Sequence, residues 1–234
     1  MKNNAGESRH QKRALVLVFD GIEEVEALAP VDVLRRAGVE TKMASLSGSK
    51  SVTGRNSISF EADAFFEDIE TESFDLLFLP GGPGVLELVD DERVSELILS
   101  LEQSRKPIAA ICAAPKVLAA AGILDGREAT SHLSIRSELP RASDEPIVVS
   151  DHILTSHGAG TAIDFGLELA RLLPGAGYAR SVAESIHSQY FDVQLRHSEK
   201  LYQTLGIRRD DHTTAGSYNT YRNKSEALFN AKKI

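Results

Sequence analysis

Along the first three-quarters of the chain, short aliphatic runs alternate with longer segments whose apolar residues recur at helical spacing. "RALVLVFD" (13–20) has the continuous apolar character of a strand buried on both faces. "EEVEALAPVDVLRRAG" (23–38) reads as a helix that stops at Gly38, with Pro30 marking a kink or a local cost. "VETKMASLS" (39–47) is the next strand, and "SVTGRNSISFEADAFFED" (51–68) a hairpin or edge segment. "FDLLFLPGGPG" (74–84) runs from a buried strand into a glycine-rich turn, and "DDERVSELILSLEQSR" (90–105) is an amphipathic helix. A strand–turn–helix, "PIAAICAAPKVLAAAG" (107–122), follows, then the strand pair "EPIVVSDHILTS" (145–156) and the helix "GTAIDFGLELARLLPG" (160–175).

Strands alternating with helices predict an α/β fold with a mostly parallel central sheet and helices on both faces. In such sheets ligands bind at the carboxyl ends of the strands, where "FDGIEEVE", "LPGGPG" and "AICAAP" fall. The expected domain spans 13–184, after a flexible tail (1–12). Residues 185–234 turn polar and form a C-terminal extension, partly helical near 190–206 and partly disordered. The Asn223-Lys224-Ser225 sequon there is read as chance.

Charge and composition narrow the function. The formal net charge is −8 with both signs interspersed, so the clustered basic face of a nucleic-acid binder is not expected. No apolar run approaches the roughly 20 residues that a bilayer-spanning helix needs. The opening residues lack a signal peptide's apolar core, which makes the cytoplasm the expected location. One cysteine cannot form an internal disulfide, so the chain either works in a reducing compartment or does not depend on oxidation for its stability.

That cysteine, Cys112, sits where a strand turns into a helix. Such a turn exposes a nucleophile and surrounds it with N–H groups, and the helix dipole favours thiolate. The alternative is a small buried hydrophobe. "PGGPG" (80–84) is either a plain tight turn or a set of N–H donors facing a reacting centre. "GIEEVE" (21–26) puts three acids at a helix start, where the dipole favours them anyway. An acid lying against a thiolate would be held protonated.

In order and at the family's spacing, "EEVEALAPVDVLRRAG", "DLLFLPGG", "AAICAAP", "SHLS" and "ILTSHGAGTAIDF" resemble the ThiJ/PfpI superfamily, and within it the parkinsonism-associated deglycase branch. The resemblance covers about residues 13 to 180 and implies a flavodoxin-like three-layer α/β/α sandwich. It implies that Cys112 is a nucleophilic and oxidisable cysteine, Glu26 a protonated acid/base contacting the sulfur, and His132 an acid/base partner. It further implies an oxyanion site of Gly82 and Ala113, and places Gly81 and His157 in the substrate pocket. No cofactor and no metal are called for. A homodimer is implied, with Asp32 and Arg36 of the first helix as candidate interface charges.

The activity implied is that of a glutathione-independent glyoxalase or protein deglycase acting on methylglyoxal, glyoxal or early glycation adducts. A redox sensor or redox-activated chaperone using the same cysteine is the alternative, and a small-molecule amidase a third reading. Three positions depart from the family pattern. Ala113 stands where the peptidase-like branch carries histidine, which argues against a Cys-His protease dyad. His157 stands where relatives carry arginine or glutamine, so anion binding there would depend on pH. Asn56 takes the place of a basic residue lent by the partner subunit, with Arg55 beside it.

Overall fold

The computed structural model describes residues 11–188. The expected N-terminal tail, and the extension with its helix at 190–206, therefore lie almost wholly outside the described residues. The chain divides into two units, Met1–Val182 and Ala183–Ile234. The second enters the description only as Ala183–Ser188, where the Ser188 N–H donates to the Ala183 carbonyl at 2.9 Å.

Strand β1 (Arg13–Val18) is followed by helix α1 (Glu24–Arg36), β2 (Glu40–Ser45), and a hairpin of β3 (Ser51–Thr53) and β4 (Ser59–Glu61). Then come β5 (Ala64–Phe65), β6 (Leu76–Leu79), α2 (Glu92–Gln103), β7 (Ile108–Ile111) and α3 (Pro115–Ala120). Strands β8 (Ile147–Ser150) and β9 (Ile153–Ser156) and helices α4 (Ala162–Leu172) and α5 (Ala176–Ser185) complete the order. Among the described residues no helix is long and apolar enough to cross a membrane.

Seven strands form one sheet in the order β5-β2-β1-β6-β7-β9-β8. All neighbours are parallel except β8 and β9, whose Asp151-His152 turn returns the chain antiparallel. The central strands β1, β6 and β7 read as unbroken apolar runs because both faces are covered. Helices α1 and α4 pack on each other, while α2, α3 and a 3-10 helix at Pro83–Asp90 form a second group. This is the flavodoxin-like sandwich that the resemblance implied. The segment 51–68 is hairpin and edge at once: β3 and β4 pair only with each other, and β5 joins the main sheet beside β2.

Pro30 stays inside α1 and leaves the carbonyl of Glu26 without its intrahelical donor. It faces Gly166 of α4, where an added Cβ would lie 2.9 Å from the Pro30 Cα; the missing side chain is what lets the two helices approach. Beneath them Phe78 and Phe165, both fully buried, meet with ring centroids 5.4 Å apart. In register, Leu79 lies opposite Ala110 and Ile111 opposite Ser156, so the strand ends converge. The loops 19–23, 80–82, 112–114 and 157–161 leave the sheet side by side.

Candidate active site

Strand β7 delivers Cys112 in a left-handed backbone conformation, φ +65°, which costs a non-glycine residue about 1–2 kcal/mol. Hydrogen bonds hold it there. The Cys112 N–H donates to the Ser156 carbonyl at 3.0 Å, and its carbonyl accepts from the His132 N–H at 2.8 Å. Ala114 N–H closes the turn onto Ile111 at 3.1 Å, and α3 begins at Pro115. The sharp strand-to-helix turn read from the sequence is present, and the thiol-bearing residue is 7% exposed.

Against the sulfur lies Glu26, in the first turn of α1. Its backbone N–H donates to the Glu23 carboxylate at 2.7 Å, so Glu23 caps the helix and sits beside the second acid. Burial pushes the Glu26 carboxyl up to about 7. The thiol of Cys112 opposes that rise, the charge of Glu23 adds to it, and the N–H groups of Ala159 and Gly81 oppose it. Glu26 Oε2 is buried without a hydrogen bond of good geometry. A carboxyl there keeps its proton to higher pH than an ordinary carboxylate and gives it up near neutrality.

The thiol does not behave as its position at a helix start predicted. Burial pushes Cys112 up to about 12, helped by the charge of Glu26 and the hydrogen bond to it. The N–H groups of Gly82 and Ala113 pull the other way, toward thiolate. Desolvation beside an acid outweighs the dipole of a helix only six residues long. Thiol and carboxyl thus compete for one negative charge in a largely buried site, and the two N–H groups named from the sequence are the donors beside the sulfur.

A cleft of about 930 Å³ opens over this pair, lined by Glu26, Gly82, Cys112, Ala113, His132 and His157 among others. Gly81, expected in its wall, lies beneath it. A Cβ there would clash with Glu26 Oε2, 2.5 Å from the Cys112 Cβ and 2.9 Å from the Ile111 carbonyl. Gly81 is the floor on which acid and thiol meet. Gly158, φ +155°, packs from the other side, its would-be Cβ 3.2 Å from Glu26 Oε1 and 4.0 Å from the sulfur.

The profile of the DJ-1/PfpI family matches residues 12–172. The chain belongs to the DJ-1/PfpI family. It is 35% identical over 184 residues to protein dj-1beta of Drosophila melanogaster, covering 76% of this chain and 98% of the fly protein. The crystal structure of that protein superposes with a TM-score of 0.73. The glutathione-independent glyoxalase DJR-1.2 of Caenorhabditis elegans is 32% identical over 181 residues, covering 75% and 96%. A structure of oxidized Toxoplasma gondii DJ-1 superposes with a TM-score of 0.74 at 31% identity, covering 76% of this chain and all of that one.

Within this DJ-1/PfpI site, His132 is set by its neighbour: Nδ1 accepts the Ser134 N–H at 3.2 Å and lies 2.8 Å from Ser134 Oγ. The proton of the neutral ring therefore sits on Nε2. His157 lines the cleft, but burial holds its pKa low, with the charges of Arg136 and His132 acting in the same sense against Asp144 and Glu145. Its Nε2 is buried without a partner. The anion contact predicted to switch on with acid at His157 therefore needs a lower pH than an ordinary histidine would. Asp32 and Arg36 pair with each other across one turn of α1, 2.7 Å apart and both exposed.

Sequence reasoning gave Glu24 no role of its own in this DJ-1/PfpI chain, and named Arg55 only as the neighbour of Asn56. Buried Glu24 accepts from the Asn56 N–H at 2.7 Å, from Asn56 Nδ2 at 2.9 Å and from the Ile58 N–H at 3.4 Å. Burial raises its pKa, but these donors and its own N–H outweigh that and hold it below the ordinary range. Glu24 so ties the hairpin to α1. Arg55, on that hairpin, lines the cleft of its own chain. Only the unbroken acid run "EEVE" hinted that more than one carboxylate had work to do.

Proposed function

We propose that this protein is a cofactor-independent glyoxalase, acting on methylglyoxal, glyoxal or the early glycation adducts they form. The observation that carries the reading is the buried Cys112–Glu26 pair, with the Gly82 and Ala113 N–H groups beside the sulfur under an open cleft. Similarity to a protein named as a glutathione-independent glyoxalase supports it.

In this scheme Glu26 takes the thiol proton as the sulfur adds to the aldehyde carbon. A C–S bond forms, and the carbonyl oxygen becomes an oxyanion facing Gly82 and Ala113. Protonation of that oxygen gives a hemithioacetal. Glu26 and His132 then move the proton from the former aldehyde carbon toward the neighbouring ketone. The first carbon is oxidised to a thioester and the second reduced to an alcohol, so no external oxidant enters. Water cleaves the thioester, releasing lactate from methylglyoxal and restoring the thiol. Raised pKa values on both partners fit a proton passed between them rather than a standing thiolate.

Methylglyoxal loss and lactate formation without glutathione test the reading. Wild type is expected to turn over, Cys112→Ala to lose at least a thousandfold, and Glu26→Gln at least a hundredfold. No turnover in wild type, with Cys112 gaining two oxygens by intact mass under peroxide, would replace the enzyme by a redox sensor. The oxidized state of the Toxoplasma relative's structure is what keeps that second reading in view.

We also infer a homodimer built on α1. Val25 on α1, Ile58 on the hairpin and Ile163 on α4 are apolar side chains each about half exposed, and the Asp32–Arg36 pair is exposed on the same helix as Val25. Sedimentation of wild type and Arg36→Glu tests it, the variant being expected to dissociate more readily.

A further inference from the structure

We propose that Arg55 is a specificity-determining residue that recognises an anionic group, carboxylate or phosphate, on the oxoaldehyde substrate, and that Glu24 is the positioning residue that holds it at the cleft. The inference rests on the oxoaldehyde reading of Cys112 but is tested apart from it.

Arg55 lines the same cleft as Cys112, and its guanidinium has no ion-pair partner among the described residues. Most other arginines are matched, Arg13 to Glu40, Arg35 to Asp63, Arg93 to Asp91, Arg127 to Glu102 and Arg136 to Asp144, and of those without an ion pair Arg55 is the one that lines the cleft. The acids in the cleft are otherwise engaged. Glu23 accepts the Glu26 N–H, and Glu26 lies against the sulfur. In a chain of net charge −8, this cation is left for a ligand. His157 lines the same space.

The loop that carries Arg55 is fixed rather than loose. Arg55 N–H donates to the Ile22 carbonyl at 2.8 Å, and Gly54 and Ser57 close a turn at 3.0 Å. Beneath it the Glu24 carboxylate fills the space that any side chain at position 54 would need. Glu24 directs its charge to the N–H groups of Asn56 and Ile58 and leaves the guanidinium uncompensated. A planar guanidinium carried on a fixed backbone suits bidentate binding of a carboxylate or phosphate. A substrate such as 4,5-dioxopentanoate, an oxoaldehyde with a carboxylate tail, would be drawn in ahead of neutral methylglyoxal.

The chain's single thiol supplies a readout that needs no turnover. Iodoacetate (anionic) and iodoacetamide (neutral) alkylate the same sulfur, and intact mass gives each rate. The iodoacetate-to-iodoacetamide ratio is expected to fall about tenfold in Arg55→Ala, to recover in Arg55→Lys, and to fall in part in Glu24→Gln. Arg105→Ala, which removes a like charge next to the start of β7, keeps the wild-type ratio. Acetate or inorganic phosphate, added in turn, identifies the preferred anion by which one slows iodoacetate in wild type but not in Arg55→Ala. In parallel, KM for 4,5-dioxopentanoate rises about tenfold in Arg55→Ala with kcat changed far less. An alkylation ratio unchanged in Arg55→Ala overturns the proposal, whatever the turnover. A ratio that falls in a protein that consumes neither oxoaldehyde refutes the enzyme reading and leaves anion recognition standing.

Discussion

At the start of β7 and β9, Glu102 accepts from Arg127 and from His152, each at 2.8 Å, and Asp151 meets Arg105 and the other side of His152. At the far ends of the same two strands, Glu26 and Cys112 share a buried site with no cation against either among the described residues. The same sheet thus treats carboxylates in opposite ways. Burial alone would raise Glu102, but Arg127 and His152 bring it below the ordinary range. Glu26 has no such partner and is raised to about 7. One end spends its charges on holding strands together; the other keeps an acid and a thiol in an unfavourable state that chemistry can use.

Gly81→Ala should break the contrast most severely. Its Cβ has no room between Glu26 and Cys112, and one obstacle is the Ile111 backbone, which cannot swing aside. Methylglyoxal turnover is expected to fall at least a hundredfold and Tm by several degrees, measured on the purified variant.

Glu26→Gln sharpens the contrast through pH. The folded pKa of Glu26, about 7, lies above its ordinary 4.5, so the native state binds more protons between those values. Wild-type stability therefore declines as pH rises from about 4.5 to 7, by on the order of 2–3 kcal/mol. Denaturant unfolding should find Glu26→Gln gaining on wild type at pH 8 relative to pH 4.5. Glu102 runs the other way: its folded pKa is depressed, so its contribution is present above the ordinary value and lost as pH falls through the folded one.

Glu102→Ala is the smaller test, expected to cost roughly 1–2 kcal/mol in urea unfolding because Arg127 and His152 lose a partner. Its turnover should match wild type. Loss of turnover there would show that the two ends are coupled.

Much of this was legible in the chain. The buried runs at 13–20, 74–79 and 107–111 are set by local pattern, and the glycine-rich turn and lone cysteine fall at strand ends for the same reason. What was not legible depends on tertiary burial. The thiol's high pKa comes first from its burial and then from Glu26, 86 positions earlier in the chain. His157 is held down by burial and by Arg136, on a different loop. Arg55 reaches the cleft on a hairpin that Asp20, Gly21, Ile22 and Glu24 all hold, a tertiary arrangement that no local pattern announces.

That hairpin belongs to no other sheet, and reaches the body through Asp20, Gly21, Ile22 and Glu24. The side chain at Arg55 can be exchanged while Asn56 and Ile58 keep their hold on Glu24, so that α1 and the Cys112–Glu26 pair stay in place. Selection, natural or in the laboratory, can therefore retune which molecules reach the sulfur while the reacting centre stays as it is.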